Sequence, residues 1–178
     1  VVKYLLASKA AVNVANRQQL TPLIAAAYNG DGKTVQLLLS HGADPTIVDK
    51  TGKTALVYAS GKGFSKIVGL LLDTGIATST RYANELTILM WAAGHSDDVP
   101  SQAALKTVKL ILSKGANPDL TDERGHTALM IAAEMGHLQI IKYLLAAKAR
   151  TDLRNKNGRT ALDLAVSANQ TEVSKILR

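Results

Sequence analysis

The sequence predicts an all-α solenoid built from stacked pairs of antiparallel helices. Three observations predict it. One cassette recurs at Thr21, Thr54, Thr87, Thr127 and Thr160 in steps of 33, 33, 40 and 33 residues, and such self-similarity marks units that bury their apolar faces only by stacking. Within each period two short apolar segments recur at helical spacing. The chain is 47% apolar over 178 residues yet holds a single Phe64 and a single Trp91, which suits a core spread along an axis rather than one large globular centre.

The first helix of each pair opens the cassette: Leu20-Thr-Pro-Leu-Ile-Ala-Ala-Ala27, Lys53-Thr-Ala-Leu-Val-Tyr-Ala-Ser60, Leu86-Thr-Ile-Leu-Met-Trp-Ala-Ala93, His126-Thr-Ala-Leu-Met-Ile-Ala-Ala133 and Arg159-Thr-Ala-Leu-Asp-Leu-Ala-Val166. The Thr hydroxyl caps the N-terminus, Pro22 suits a first helical turn, and paired Ala residues let neighbouring helices approach. The second helix follows as a branched residue leading a Leu-rich run, from Val35 to Leu39, Val68 to Leu72, Val108 to Leu112 and Ile141 to Leu145, with one apolar face. Gly42, Gly75 and Gly115 stop these helices by turning left-handed. Lys148 stands in the equivalent place, where left-handed strain of ~1 to 2 kcal/mol is expected.

An Asx residue with Gly three positions later then makes a turn, in Asp49 to Gly52, Asp122 to Gly125 and Asn155 to Gly158, a pattern of turn chemistry. The final segment, Thr171 to Arg178, sets Ser174 and Lys175 among its apolar positions and reads as a polar C-terminal cap. Val1 to Leu6 reads as the later half of a second helix, so a truncated or processed fragment is expected. No apolar run approaches the ~20 residues that span a bilayer. The absence of Cys excludes a disulfide framework, zinc knuckles and a thiol nucleophile. A soluble protein is expected, with the cytoplasm favoured and export also compatible.

Together the Thr-led cassette, the Leu-rich second helix and the Asx-to-Gly turn resemble ankyrin repeats over essentially the whole chain. The units fall at 1–15 (partial), 16–48, 49–81, 82–121, 122–154 and 155–178 (cap), in one domain, 1–178. The resemblance implies L-shaped units of two helices and a β-hairpin finger, with fingers and first helices lining a concave face. It also implies a protein-binding scaffold, with contacts from Tyr28, Asn29, Lys62, His95, Glu134 and Met135. One departure runs through every copy: the family's His after Thr-Pro-Leu is replaced by Ile24, Val57, Met90, Met130 and Asp163. Apolar packing is expected to take over in four of the five.

The step of 40 puts seven extra residues into the third unit, within Gly94 to Lys106. Pro100 is excluded from a helix interior and Ser101 suits a cap, so the second helix is expected to gain about a turn while His95 to Pro100 form an acidic loop. The finger of this unit is irregular too, with Tyr82 in the Asx slot and Glu85 in the Gly slot, so a non-standard turn is expected. Trp91 lies in the same unit. Arg81, Tyr82 and Trp91 make the sharpest candidate interface cluster, because aromatic residues and Arg dominate hot spots. Trp91 shares its slot with Ala25, Tyr58, Ile131 and Leu164, and reads also as inter-repeat packing. The insertion reads also as a tolerated surface loop.

The net charge of +7 concentrates on the fingers, where Arg17, Lys50, Lys53, Arg81, Arg124, Arg154, Lys156 and Arg159 outnumber Asp49, Glu85, Asp122 and Glu123. Asn84 and His126 complete the finger candidates. Such a potential selects acidic partners, although Lys and Arg also serve simply to solvate exposed tips. A monomer binding another protein through an acidic surface is the leading expectation. Recognition of a polyanion, either nucleic acid or a phosphorylated small ligand, is the alternative, and a scaffold without a natural partner is a third.

No enzyme activity, cofactor or metal is expected. His41, His95, His126 and His137 lack metal-ligand spacing. Asp97 and Asp98 are adjacent and diverge rather than converge on a substrate. Ser101 has no evident base, and Gly61-Lys-Gly63 lacks the rest of a phosphate-binding loop.

Overall fold

Each first helix starts where a threonine can cap it. In the computed structural model, which describes residues 11–96 and 98–178, the hydroxyls of Thr21, Thr54, Thr87, Thr127 and Thr160 each accept from the backbone N–H three residues on, at 3.2–3.4 Å. These caps open α1 (Pro22–Tyr28), α3 (Ala55–Gly61), α5 (Ile88–Ala93), α7 (Ala128–Met135) and α9 (Ala161–Ser167). The second helices are α2 (Gly32–Ser40), α4 (Ser65–Leu72), α6 (Ser101–Ser113), α8 (Leu138–Ala146) and α10 (Thr171–Leu177). No β-strand occurs among the described residues. The helix expected over Val1 to Leu6 lies outside them.

Every first helix packs on its own second helix and on the first helix of the next unit, and the second helices form a parallel outer row in the same way. The result is a two-layer all-α solenoid. Its core runs between the layers through Ala27, Ala59, Ala93 and Ala133, all fully buried, and through Val35, Val68, Val108 and Ile141 of the second helices. Ile24, Val57, Met90 and Met130 are each 1% exposed, so apolar packing fills the slot in four units. Asp163 is exposed in the fifth, where its carboxylate accepts from both the N–H and the hydroxyl of Thr160 at 2.8 Å. The pair forms a reciprocal helix cap.

The second helices end as their sequences require. Gly42, Gly75 and Gly115 take φ values of 81°, 95° and 83°, and Lys148 is held at 62° in the same place. α6 has 13 residues, against 9, 8 and 9 in α2, α4 and α8, which is the extra turn expected of the insertion. Its cap differs from the expectation. The N-cap falls on Pro100, with no side-chain hydrogen bond, and Ser101 is the first helical residue instead. The Pro100 carbonyl accepts from the Ala104 N–H at 3.1 Å, so the first helical bond begins at Pro100 and Ser101 falls inside the first turn rather than at the cap.

The fingers are tight hairpin turns. In all five, the N–H of the first residue (Asn16, Asp49, Tyr82, Asp122 or Asn155) donates to the carbonyl four residues on, at 2.9–3.1 Å. Where that residue is Asx, its Oδ1 also accepts from the N–H groups two and four residues on, bracing the turn from inside. Tyr82 has no such oxygen. The third finger departs accordingly, with two successive left-handed residues, Asn84 at φ 60° and Glu85 at φ 61°, in a short 3-10 turn over Ala83–Glu85. Neighbouring fingers are joined by Lys50 N–H to Gln18 O, Glu123 N–H to Asn84 O and Lys156 N–H to Arg124 O.

Candidate functional site

The first helices of three successive units carry an aromatic residue on the same face: Tyr28 at the end of α1, Tyr58 in α3 and Trp91 in α5. With Lys53, Lys62 and His95 they line a groove of about 270 Å³. Tyr28 and Tyr58 meet edge to face, centroids 5.3 Å apart and planes at 82°, the arrangement that ring quadrupoles prefer. Lys62 Nζ stands 4.7 Å from the Tyr28 centroid, while Lys53 Nζ lies 5.6 Å from Tyr58 and 5.2 Å from Trp91. Each lysine thus rests on an aromatic face, a favourable placement for a cation.

Tyr58 is held from below, where its hydroxyl donates to Asp49 Oδ2 at 2.5 Å. Burial by itself raises the Asp49 carboxyl, but hydrogen bonds from Tyr58, from the Thr51 hydroxyl and from the Lys53 and Thr51 amides together hold it below the usual carboxylate range. The Tyr58 phenol moves the other way, raised first by burial and then by the Asp49 carboxylate. The rim is supplied by the insertion. Asp98 Oδ2 lies 3.9 Å from Lys62 Nζ, and the Ser96 hydroxyl donates to Asp98. That hydrogen bond, followed by Lys62, lowers the Asp98 carboxyl. Gly94 also lines the groove and lets the next unit approach, since a Cβ there would stand 2.7 Å from Ile131 Cγ2.

Trp91 is half-buried, so it both packs between units and lines the groove. The structure does not bring Tyr82 to it. Tyr82 and Arg81 line a separate groove of about 530 Å³ with Pro45, Val48 and Ile76, and no residue is common to the two. The expected Arg81, Tyr82 and Trp91 cluster is therefore divided. The finger turns Tyr82 into the junction between units, where burial raises its phenol. Arg81 donates to Thr121 O at 2.5 Å and Glu85 O at 3.0 Å, tying its finger to the following unit.

Other finger cations are similarly engaged. Arg124 pairs with the buried Asp122 at 3.0 Å, Arg154 donates to Gly158 O at 2.7 Å, and Arg159 donates to Asp163 O at 3.3 Å and to the Ser167 hydroxyl. Arg17, Lys50 and Lys156 are exposed and make no ion pair among the described residues. His126, a finger candidate, is buried, and Asn155 Nδ2 donates to its Nε2 at 2.8 Å; it joins fingers and offers little surface. His95 is buried as well, its ring stacked on that of His137 at 3.9 Å and 2°. Tyr28, Asn29, Asn84, Glu134 and Met135 are exposed.

Tyr58 is the residue that sequence reasoning missed. It stood only as a slot-mate of Trp91, although aromatic residues in three successive first helices were a legible signal. Among the described residues no group of three or more His, Asp or Glu side chains converges to hold a metal, and no helix is long and apolar enough to cross a membrane.

The family model for ankyrin repeats matches residues 1–82 and 99–178, in three copies. The unmatched stretch between them, 83–98, contains α5 and most of the irregular finger and of the insertion loop. No curated protein matches the chain. With five threonine-capped helix pairs, hairpin fingers and matches over nearly its whole length, the chain belongs to the ankyrin-repeat family.

Proposed function

We propose that the chain is a non-catalytic interaction module whose first-helix face takes an acidic segment of another protein. Ankyrin repeats mediate protein–protein interactions, and the observation that carries the finer reading is the placement of Lys53 and Lys62 on Trp91, Tyr58 and Tyr28. Lys53 has no ion-pair partner among the described residues, and Lys62 has only the long contact to exposed Asp98. Both ammonium groups are thus available to incoming carboxylates, while the rings supply apolar contact area of the kind that dominates hot spots. Arg17, Lys50 and Lys156 on the finger tips add long-range attraction. Arg81 and Tyr82 extend the candidate surface as a second patch.

The test is partner capture on the immobilised protein, followed by affinity measurement with Lys53→Glu/Lys62→Glu and with Trp91→Ala. Each variant is expected to lose at least about tenfold, or about 1.4 kcal/mol. Unchanged affinity in both, with the fold intact, sinks the reading. Capture of nucleic acid that weakens steeply with salt but tolerates Tyr58→Ala and Trp91→Ala supports the polyanion alternative.

A further inference from the structure

We propose that the opposite, second-helix face carries an independent docking groove for an acidic amphipathic helix of a partner protein. The groove lies across α2, α4 and α6, has a volume of about 720 Å³, and is floored by Phe64, Ile67 and Leu70. Lys33, Lys66 and Lys106 stand around it, all exposed, and none has an ion-pair partner among the described residues. The one carboxylate in the lining, Asp73, is already engaged by Lys114 at 2.8 Å. Apolar floor and unpaired cationic rim together call for an apolar side-chain row flanked by carboxylates.

The groove arises from departures within the second unit. Gly69 takes the place in α4 that Gln36, Lys109 and Lys142 take in α2, α6 and α8, so a long side chain is missing from the outer row. Nothing in the packing demands this glycine, since a Cβ there would meet only Leu110 Cδ2 at an ordinary 3.7 Å. A glycine inside a helix is destabilising relative to alanine, and what it provides here is open space in the outer row. Phe64 stands at the N-cap of α4, where α2, α6 and α8 have Asp31, Pro100 and His137. It provides no capping hydrogen bond. Its ring instead lies over Gly30, whose Cβ would stand 2.8 Å from Phe64 Cζ, and remains partly exposed at the groove.

The third side comes from α6, where Lys106 stands two residues before Val108 just as Lys33 and Lys66 stand two residues before Val35 and Val68, so the three lysines hold one repeat position in successive second helices. The groove is open rather than enclosed. A small ligand needs most of its surface buried, whereas an amphipathic helix laid into an open groove needs an apolar stripe below and charge complementarity along its edges.

The experiment uses the whole chain, isotope-labelled, titrated with an acetylated helical peptide of repeated Glu-Glu-Leu-Leu blocks and followed by backbone amide shifts. Shifts at residues 63–70 and at Lys106 are expected. Affinity should fall at least about tenfold both in Gly69→Gln, which restores the residue type of Gln36 and fills the groove, and in Lys33→Glu/Lys66→Glu/Lys106→Glu. In Lys53→Glu/Lys62→Glu the shifts at residues 63–70 and at Lys106 should persist, which separates this groove from the first-helix face. Shifts confined to the surroundings of Trp91, undiminished binding by Gly69→Gln, or shifts produced by decanoate but not by the peptide would each overturn the proposal, the last in favour of a small anionic amphiphile.

Discussion

The Lys53 ammonium lies 5.2 Å from the centroid of the Trp91 ring, so a finger of one unit is fastened to the first helix of the next through a cation and an aromatic face. Replacing Lys53 with Gln should lower stability by about 0.5–1 kcal/mol. Because Trp91 is the only tryptophan, its emission should shift while the far-ultraviolet circular dichroism stays constant. Urea unfolding monitored by both signals tests this, and an unchanged midpoint with unchanged emission would place Lys53 away from the ring in solution.

Tyr58→Phe removes the hydroxyl that donates to the buried Asp49 carboxylate. Loss of a hydrogen bond to a charged, buried acceptor costs about 1.5–3 kcal/mol. The pH dependence has a definite sign. Asp49 is held below the usual carboxylate range in the folded protein, so its contribution is present above about pH 3.9 and is lost as pH falls through the lower folded value. The stability gap between wild type and variant should therefore narrow below about pH 4. A gap that stays constant down to acid unfolding counts against the bond.

Lys148 occupies left-handed backbone at φ 62°, where the equivalent units use Gly42, Gly75 and Gly115. Lys148→Gly should raise stability by about 1 kcal/mol, because the clash of a Cβ with the following carbonyl disappears. Lys148→Val should lower it, since a branched side chain tolerates this backbone least. Thermal melts of the three proteins give the order directly, and a glycine variant no better than wild type contradicts the strain.

His126 is buried between fingers, and burial, followed by repulsion from Arg124, pushes its imidazole below the ordinary value. The folded state thus favours the neutral ring. As pH falls below about 6.5 the unfolded chain takes up the proton first, so stability declines from there until the folded value is passed. In His126→Gln that part of the pH profile should flatten, although the variant starts from lower stability after weakening the bond to Asn155. Parallel profiles for the two proteins would show that His126 does not titrate differently on folding.

The helix pairs, the extra turn of α6 and the left-handed Lys148 were all legible in the sequence. So was the altered third finger, because replacing an Asx with Tyr82 removes a bracing oxygen that acts within four residues of itself. The candidate sites were less legible. Tyr82 and Trp91 are nine positions apart in the chain yet line different grooves, because a finger and a first helix meet the next unit at different levels. Four finger arginines counted as free charge, Arg81, Arg124, Arg154 and Arg159, are instead engaged, as when Arg81 reaches Thr121, forty positions away.

By itself the sequence determined the period, the helix starts and stops, and the family, all consequences of capping bonds, backbone preferences and apolar spacing that operate over a few residues. The tertiary structure decided which cations remain unpaired and where grooves open. Those outcomes depend on side chains about one repeat apart, such as Lys53 against Trp91 or Phe64 against Gly30, and their meeting is set by how one unit stacks on the next.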